Sequence, residues 1–232
     1  MMDTRWPTRR LAVFGVSYFA VYMLYLWFCL SLENELTHWL TLVALPFAGL
    51  YMVARQSDRE YTFRQLLDLV GLRRSGGMKA VFWGFSLGLL LGSLQLVLSN
   101  RSDDILQAVV TGKALYTFPQ ALLLMLVTAG FTEEFFFRGI VQSSLATAFR
   151  RQWLAVLIGA ALFGLYHFPY AYQLESWSSH GDIVAALSEG VLMTAVIGLI
   201  LGFVYSHFEH LAAPILVHAV FNACWAMTVM AI

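Results

Sequence analysis

Thr132-Glu133-Glu134-Phe135-Phe136-Phe137-Arg138 places two carboxylates and a guanidinium in a segment that is otherwise uncharged from Phe118 to Phe149. A charge at the centre of a membrane-spanning helix costs about 2.5–3.5 kcal/mol on insertion scales, and such residues face the protein interior and mark function. Glu134 and Arg138 are four apart, so on a helix they pair along one face. Glu133 sits about 100° around from Glu134 and is free to point elsewhere. Two more apolar stretches carry groups that could meet it. One reads Phe163-Gly164-Leu165-Tyr166-His167; the other reads Pro214-Ile215-Leu216-Val217-His218-Ala219-Val220-Phe221-Asn222. His218 and Asn222 share one helix face by the same spacing.

Glu133, His167, His218 and Asn222 together have the chemistry to activate water. A carboxylate taken out of water becomes a stronger base, and a histidine can hold or share the attacking water. A second histidine and an amide can donate to the oxyanion that forms on a carbonyl. No serine or cysteine stands beside a base as a nucleophile, and His-Glu-x-x-His is absent, so hydrolysis by activated water is favoured over an acyl-enzyme. Zinc is the alternative: Glu133, His167 and His218 make a His₂Glu set with an open position. Asn222, one turn from His218, fits an oxyanion donor better, and no carboxylate to hold the far nitrogen of either histidine is evident. The reading is therefore no cofactor, with Zn as the alternative.

Plainer readings stand beside these. Glu134 with Arg138 is a self-neutralising structural pair, since a buried charge demands a partner. Glu189, in the first turns of its helix, suits the helix dipole. His207 and His210 read as a solvated loop, and His38 and His180 as interfacial groups without chemistry. A lone membrane histidine is a helix–helix hydrogen-bond partner more often than a catalyst. That reading weakens when His167, His218, Asn222 and an unpaired Glu133 occur in one small bundle.

Glu-Glu-x-x-x-Arg at 133–138, Phe-x-x-x-His at 163–167 and His-x-x-x-Asn at 218–222 after Pro-Ile-Leu resemble the CPBP family, the CAAX prenyl endopeptidases and bacteriocin-processing or immunity (Abi) proteins. The three motifs occur in order on separate apolar stretches and cover about the last half of the chain. The resemblance implies an intramembrane endopeptidase in which Glu133 and His167 activate water, His218 and Asn222 form the oxyanion hole, and Glu134 and Arg138 support the site. Its substrate would be a membrane-associated peptide or protein. The family includes members described as metalloproteases, members described as glutamate-type, and members known only as immunity or scaffold proteins. The competing reading is therefore a non-catalytic immunity or partner-binding protein, or a proton-coupled transporter. A transporter favours inverted repeats and broken helices, which this sequence does not show clearly.

The elements that must position these groups are membrane helices. Of 232 residues, 59% are hydrophobic and only 12% charged, about half the charged share of a soluble domain. The fold class is thus an all-α polytopic membrane protein, read as a single domain over 1–232. With 14 basic and 14 acidic residues, overall charge gives no nucleic-acid signal. Cys29 and Cys224 lie in apolar runs and make neither a metal site nor a disulfide framework. The 22-residue run Leu11–Leu32 after Arg5, Arg9 and Arg10 exceeds a cleavable signal's apolar core of about 7–15 residues; it is a retained span.

About 20 apolar residues per crossing gives seven spans, at about 11–32, 36–54, 78–98, 118–148, 153–169, 183–205 and 211–231. The fourth is too long for a perpendicular crossing and must tilt, break or project into water; the fifth is short. Residues 61–72, with Phe63, Leu66, Leu67 and Val70 at helical spacing, predict an amphipathic helix on the membrane surface. With the N-terminus in the cytoplasm, 11 basic residues fall inside and only Arg101 and Lys113 outside. That is a strong positive-inside bias, and the expected location is a bacterial inner (cell) membrane.

Overall fold

A computed structural model gives the fold and describes residues 8–56, 61–73, 75–99 and 102–230. Arg5, Arg59, Arg74 and Arg101, which entered the charge count, and residue 231 of the last span lie outside the described residues. Within them the chain is helical, without strands. Seven helices are long and apolar enough to cross a membrane: α1 (Arg9–Leu32), α2 (Glu35–Arg55), α4 (Gly77–Leu98), α6 (Ala114–Phe149), α7 (Gln152–Gln173), α8 (Ile183–Phe208) and α9 (Ala212–Met230). Two shorter helices lie between them, α3 (Phe63–Leu69) and α5 (Ser102–Val110). The second was not expected from the sequence.

Helix α6 is the axis of the bundle. Its 36 residues extend over about 54 Å at 1.5 Å per residue, against a hydrocarbon core of about 30 Å. It does not break. Wide i→i+5 turns at Leu126–Gly130 and Phe135–Gln142 flank the carboxylates, and such turns inside α-helices occur often at functional sites. From Thr132 to Ala146 every residue is buried, as expected of a helix surrounded on all sides. The three successive phenylalanines point three ways. Phe135 meets Phe47 of α2, Phe136 meets Tyr18 of α1, and Phe137 meets Phe163 and Tyr166 of α7, with ring centroids 5.1–5.8 Å apart.

Helix α7 runs longer than its apolar pattern suggested. It continues through Pro169 to Gln173, because its last turn is held from outside. Phe168 and Tyr172 stack on Trp27 of α1, and the Gln173 amide donates to the Trp27 carbonyl. Helix α3 is capped by a reciprocal Thr62–Gln65 pair. It buries Leu66 and Val70, pairs Arg64 with Asp68, and leaves Phe63 exposed. The backbone of Val70 reaches Gly139 of α6, so this segment docks on the bundle as well as being amphipathic.

Close contact between α4 and α9 is built on Gly84, Gly88 and Gly92, one per turn along α4. A Cβ at these positions would fall 2.6 Å from the Ala213 carbonyl, 2.7 Å from the Val220 Cβ and 2.6 Å from the Cys224 Sγ. Helices in lipid associate through such small residues because lipid supplies no hydrophobic drive between them. This contact fixes the register of α9, and with it the height of His218. Gly88→Val should therefore destabilise the protein by about 1–3 kcal/mol, the usual cost of overpacking, whereas Leu90→Ala, on an exposed position, should stay within about 0.5 kcal/mol. Thermal unfolding in detergent compares the two.

Candidate active site

Helix α6 brings its two carboxylates to opposite situations. Glu134 is fully buried and paired. Arg138 Nη1 donates to Glu134 Oε1 at 3.2 Å, and Arg138 Nε lies 3.1 Å from Oε2 as an ion-pair contact. The other arm of the guanidinium donates to the Gly198 carbonyl of α8 at 3.0 Å, and its carbon lies 4.5 Å from the centre of the Phe163 ring. One turn further, Gln142 donates to the Gly202 carbonyl at 3.0 Å. Arg138 and Gln142 thus hold α6 against successive turns of α8. Gly198 and Gly202 make room for this, since a Cβ at Gly198 would sit 3.1 Å from Phe163 and one at Gly202 3.0 Å from Gln142 Oε1.

Glu134 has a further partner: His218 Nδ1 lies 2.9 Å from Glu134 Oε1. A carboxylate already paired with arginine can only accept, so Nδ1 carries the proton and Nε2 is left for other work. No carboxylate orienting either histidine was evident from the sequence; the structure supplies one for His218. The four-residue spacing identified Arg138 as a neighbour of Glu134, but a contact between α6 and α9 has no sequence spacing to reveal it.

Glu133 is 7% exposed, and its Oε2 has no hydrogen-bond partner among the described residues. His167 Nε2 lies 4.0 Å from that oxygen, beyond hydrogen-bond reach. His167 Nδ1 lies 2.8 Å from the Phe163 carbonyl. A carbonyl has no proton to give, so Nδ1 donates and Nε2 is the nitrogen turned toward Glu133. Phe163 packs edge-on against both imidazoles, with centroids 4.8 Å from His167 and 5.8 Å from His218. The first residue of the Phe-x-x-x-His motif is therefore the surface on which both histidines and Arg138 rest. Asn222 is half-buried, one turn beyond His218, and its side chain makes no hydrogen bond among the described residues.

Glu133 and His167 line a cavity of about 380 Å³ with Thr128, Tyr166, Tyr170 and Trp177. Glu33 of the α1–α2 connection and Glu35 and His38 of the first turns of α2 line it too. Glu33 Oε1 accepts from Tyr22 at 3.2 Å and lies 3.2 Å from His38 Nδ1. A second acid–histidine pair thus faces the same cavity. The sequence reading gave His38 no chemistry, and the only available signal was the polar run Glu33-Asn34-Glu35 between two spans.

Other expected residues fall elsewhere. Glu189 is exposed and accepts from Ser178 at 2.7 Å. His210 is not a solvated loop residue. It is 8% exposed, its Nδ1 accepts from the Ala212 amide, and its Nε2 lies 3.0 Å from the Arg73 carbonyl. The backbone turn between α8 and α9 places it there, which its sequence position alone does not show.

Both site histidines have Nδ1 held by an acceptor and Nε2 free, an orientation common among metal ligands. Among the described residues, however, no group of three or more His, Cys, Asp and Glu side chains is placed to hold a metal ion.

The two adjacent carboxylates should respond differently to the same change. Glu134→Gln leaves Arg138 uncompensated in the core and should cost about 3–5 kcal/mol, the usual result of breaking a buried ion pair. Glu133→Gln removes no hydrogen bond made to Oε2 and should cost less than about 1 kcal/mol. Parallel thermal unfolding of the two variants in detergent measures the contrast.

Among curated proteins and among solved structures, no match is found. Residues 116–224 match the family model described as Type II CAAX prenyl endopeptidase Rce1-like. The match runs from the start of α6 into α9 and contains all three motifs, with Glu133, Glu134, His167, His218 and Asn222. The part of the chain that carries the site is thus matched to the CAAX protease family that its motifs resemble.

Proposed function

We propose that this protein is an intramembrane endopeptidase that hydrolyses a peptide bond of a membrane-associated peptide or protein with water activated by Glu133 and His167. The observation that carries the reading is the buried Oε2 of Glu133, without a hydrogen-bond partner among the described residues, facing His167 Nε2 across 4.0 Å on the wall of an open cavity. One water about 2.8 Å from each group would bridge that gap. Such a water donates one hydrogen to the carboxylate and the other to the imidazole, which leaves its own lone pair aimed at the substrate carbonyl. On attack, Glu133 takes the proton and later delivers it to the departing amine, as general base and then general acid.

The carbonyl oxygen gains charge as the tetrahedral intermediate forms and needs donors. Asn222, with no internal hydrogen bond to give up, is one. His218 is the other: with Nδ1 held on the Glu134 carboxylate, a proton on Nε2 would be donated to the oxyanion. Glu134 and Arg138 act through His218 and the helix contacts rather than on the substrate. The charge at Glu133 thus remains free for catalysis because the adjacent carboxylate satisfies the arginine.

Glu133→Gln keeps shape and removes the base, so cleavage should fall by at least about 10²-fold. Asn222→Ala should lose about 10²–10³-fold, the effect of removing one oxyanion donor. Both proteins should still insert in the membrane. The readout is the fragment pattern in cells making each variant, and unchanged fragments with Glu133→Gln would remove the basis of this mechanism. Purified protein should also keep its activity in a strong chelator; chelator-sensitive cleavage restored by stoichiometric zinc would replace it with a zinc mechanism built on Glu133, His167 and His218.

A further inference from the structure

The two ends of the bundle differ both in how they are closed and in charge. Toward one end, layers of hydrogen bonds seal the site. Below Arg138 and Gly198 come Gln142 with Gly202 and Ser206, then Ser143 with Tyr205, then the Leu211 amide on the Gly71 carbonyl. Arg73 bonds Glu209 across the surface there. Toward the other end the site is open. The His167 ring is 6.5 Å from Trp177, a residue of the α7–α8 connection, and Glu33 of the α1–α2 connection and Glu35 of the first turn of α2 line the cavity.

Among the described residues, the connections at the closed end carry Arg55, Arg64, Arg73, Lys79, Arg150 and Arg151 against Asp68 and Glu209. Those at the open end carry Glu33, Glu35, Asp103, Asp104, Glu175 and Asp182 against Lys113. Short connections rich in lysine and arginine stay in the cytoplasm.

We infer that the catalytic cavity opens on the non-cytoplasmic face of the membrane, so that its substrates are polypeptide segments presented from outside the cytoplasm. The word substrate rests on the peptidase reading above; the sidedness does not. A tail anchored at the cytoplasmic surface would meet the sealed, basic end. An exported segment, or the outer flank of a membrane helix, meets the cavity directly. The cavity it meets is acidic: Glu33, Glu35 and Glu133 line it and, among the described residues, no lysine or arginine does. A chain approaching with neutral or cationic residues therefore enters against less repulsion than one ending in a free carboxylate.

Cysteine labelling tests the sidedness without any substrate. In a protein carrying Cys29→Ala and Cys224→Ala, single cysteines replace Glu35 or Glu175 at the open end, or Ser75 at the closed end, all exposed positions. A membrane-impermeant maleimide added to intact cells should label the Glu35→Cys and Glu175→Cys proteins, and Ser75→Cys only after the membrane is breached. The reverse pattern overturns the inference. Comparing peptide fragments from cells making wild type and Glu133→Gln then tests the substrate class. Fragments that depend on Glu133 should come from non-cytoplasmic segments; a cytoplasmic origin overturns the substrate class. If no fragment depends on Glu133, the peptidase reading falls while the labelling still decides which face the cavity meets.

Discussion

Everything in the site depends on keeping Arg138 ionised in a place with almost no water. The guanidinium is 1% exposed, and an uncompensated charge at that depth would cost several kcal/mol. The protein meets the demand from four helices. Glu134 of α6 supplies the countercharge, the Gly198 carbonyl of α8 accepts a second arm, and Phe163 of α7 offers its ring face; His218 of α9 completes the carboxylate's partners. The contacts to α8 and α9 are hydrogen bonds near 3 Å and are lost if either helix shifts. The ion pair therefore works as a register pin for the bundle as well as a neutralised charge.

That pin explains how neighbouring carboxylates come to differ. Adjacent residues on a helix point about 100° apart, so only one of Glu133 and Glu134 can face Arg138, four residues on. The other lies on the cavity wall with His167 Nε2 4.0 Å away. Burial is the same for both to within a few per cent; what separates them is the supply of partners. Glu134 has Arg138 and His218 as partners, whereas Glu133 Oε2 accepts no hydrogen bond among the described residues, and a buried polar group left in that state calls for an explanation.

Phe163 links the pin to the Glu133–His167 side of the bundle. It contacts Arg138 on its face and both imidazoles on its edges, so a small rotation of α7 would disturb all three together. The aromatic wall continues outward through Tyr166, Tyr170 and Tyr22 to Glu33, which couples the α1–α2 connection to the cavity. The first two helices, which hold none of the three motifs, are in this way part of the site's enclosure.

The sequence by itself determined the number and placement of the spans, since apolar length is a local property and water cannot satisfy a backbone inside lipid. It also determined the Glu134–Arg138 pair, because four-residue spacing is a fact of one helix. Charge asymmetry between the two sets of connections was likewise countable from residues alone. The tertiary structure decided what lies between helices: that His218 belongs to Glu134, that Glu133 stands opposite His167, that His210 is a buried tie, and that Glu33 and His38 line the cavity. Those relations depend on the register of one helix against another. Glycines along α4 and α8 set that register by removing Cβ atoms from the contact, and a missing side chain leaves no pattern in a single chain that names its partner.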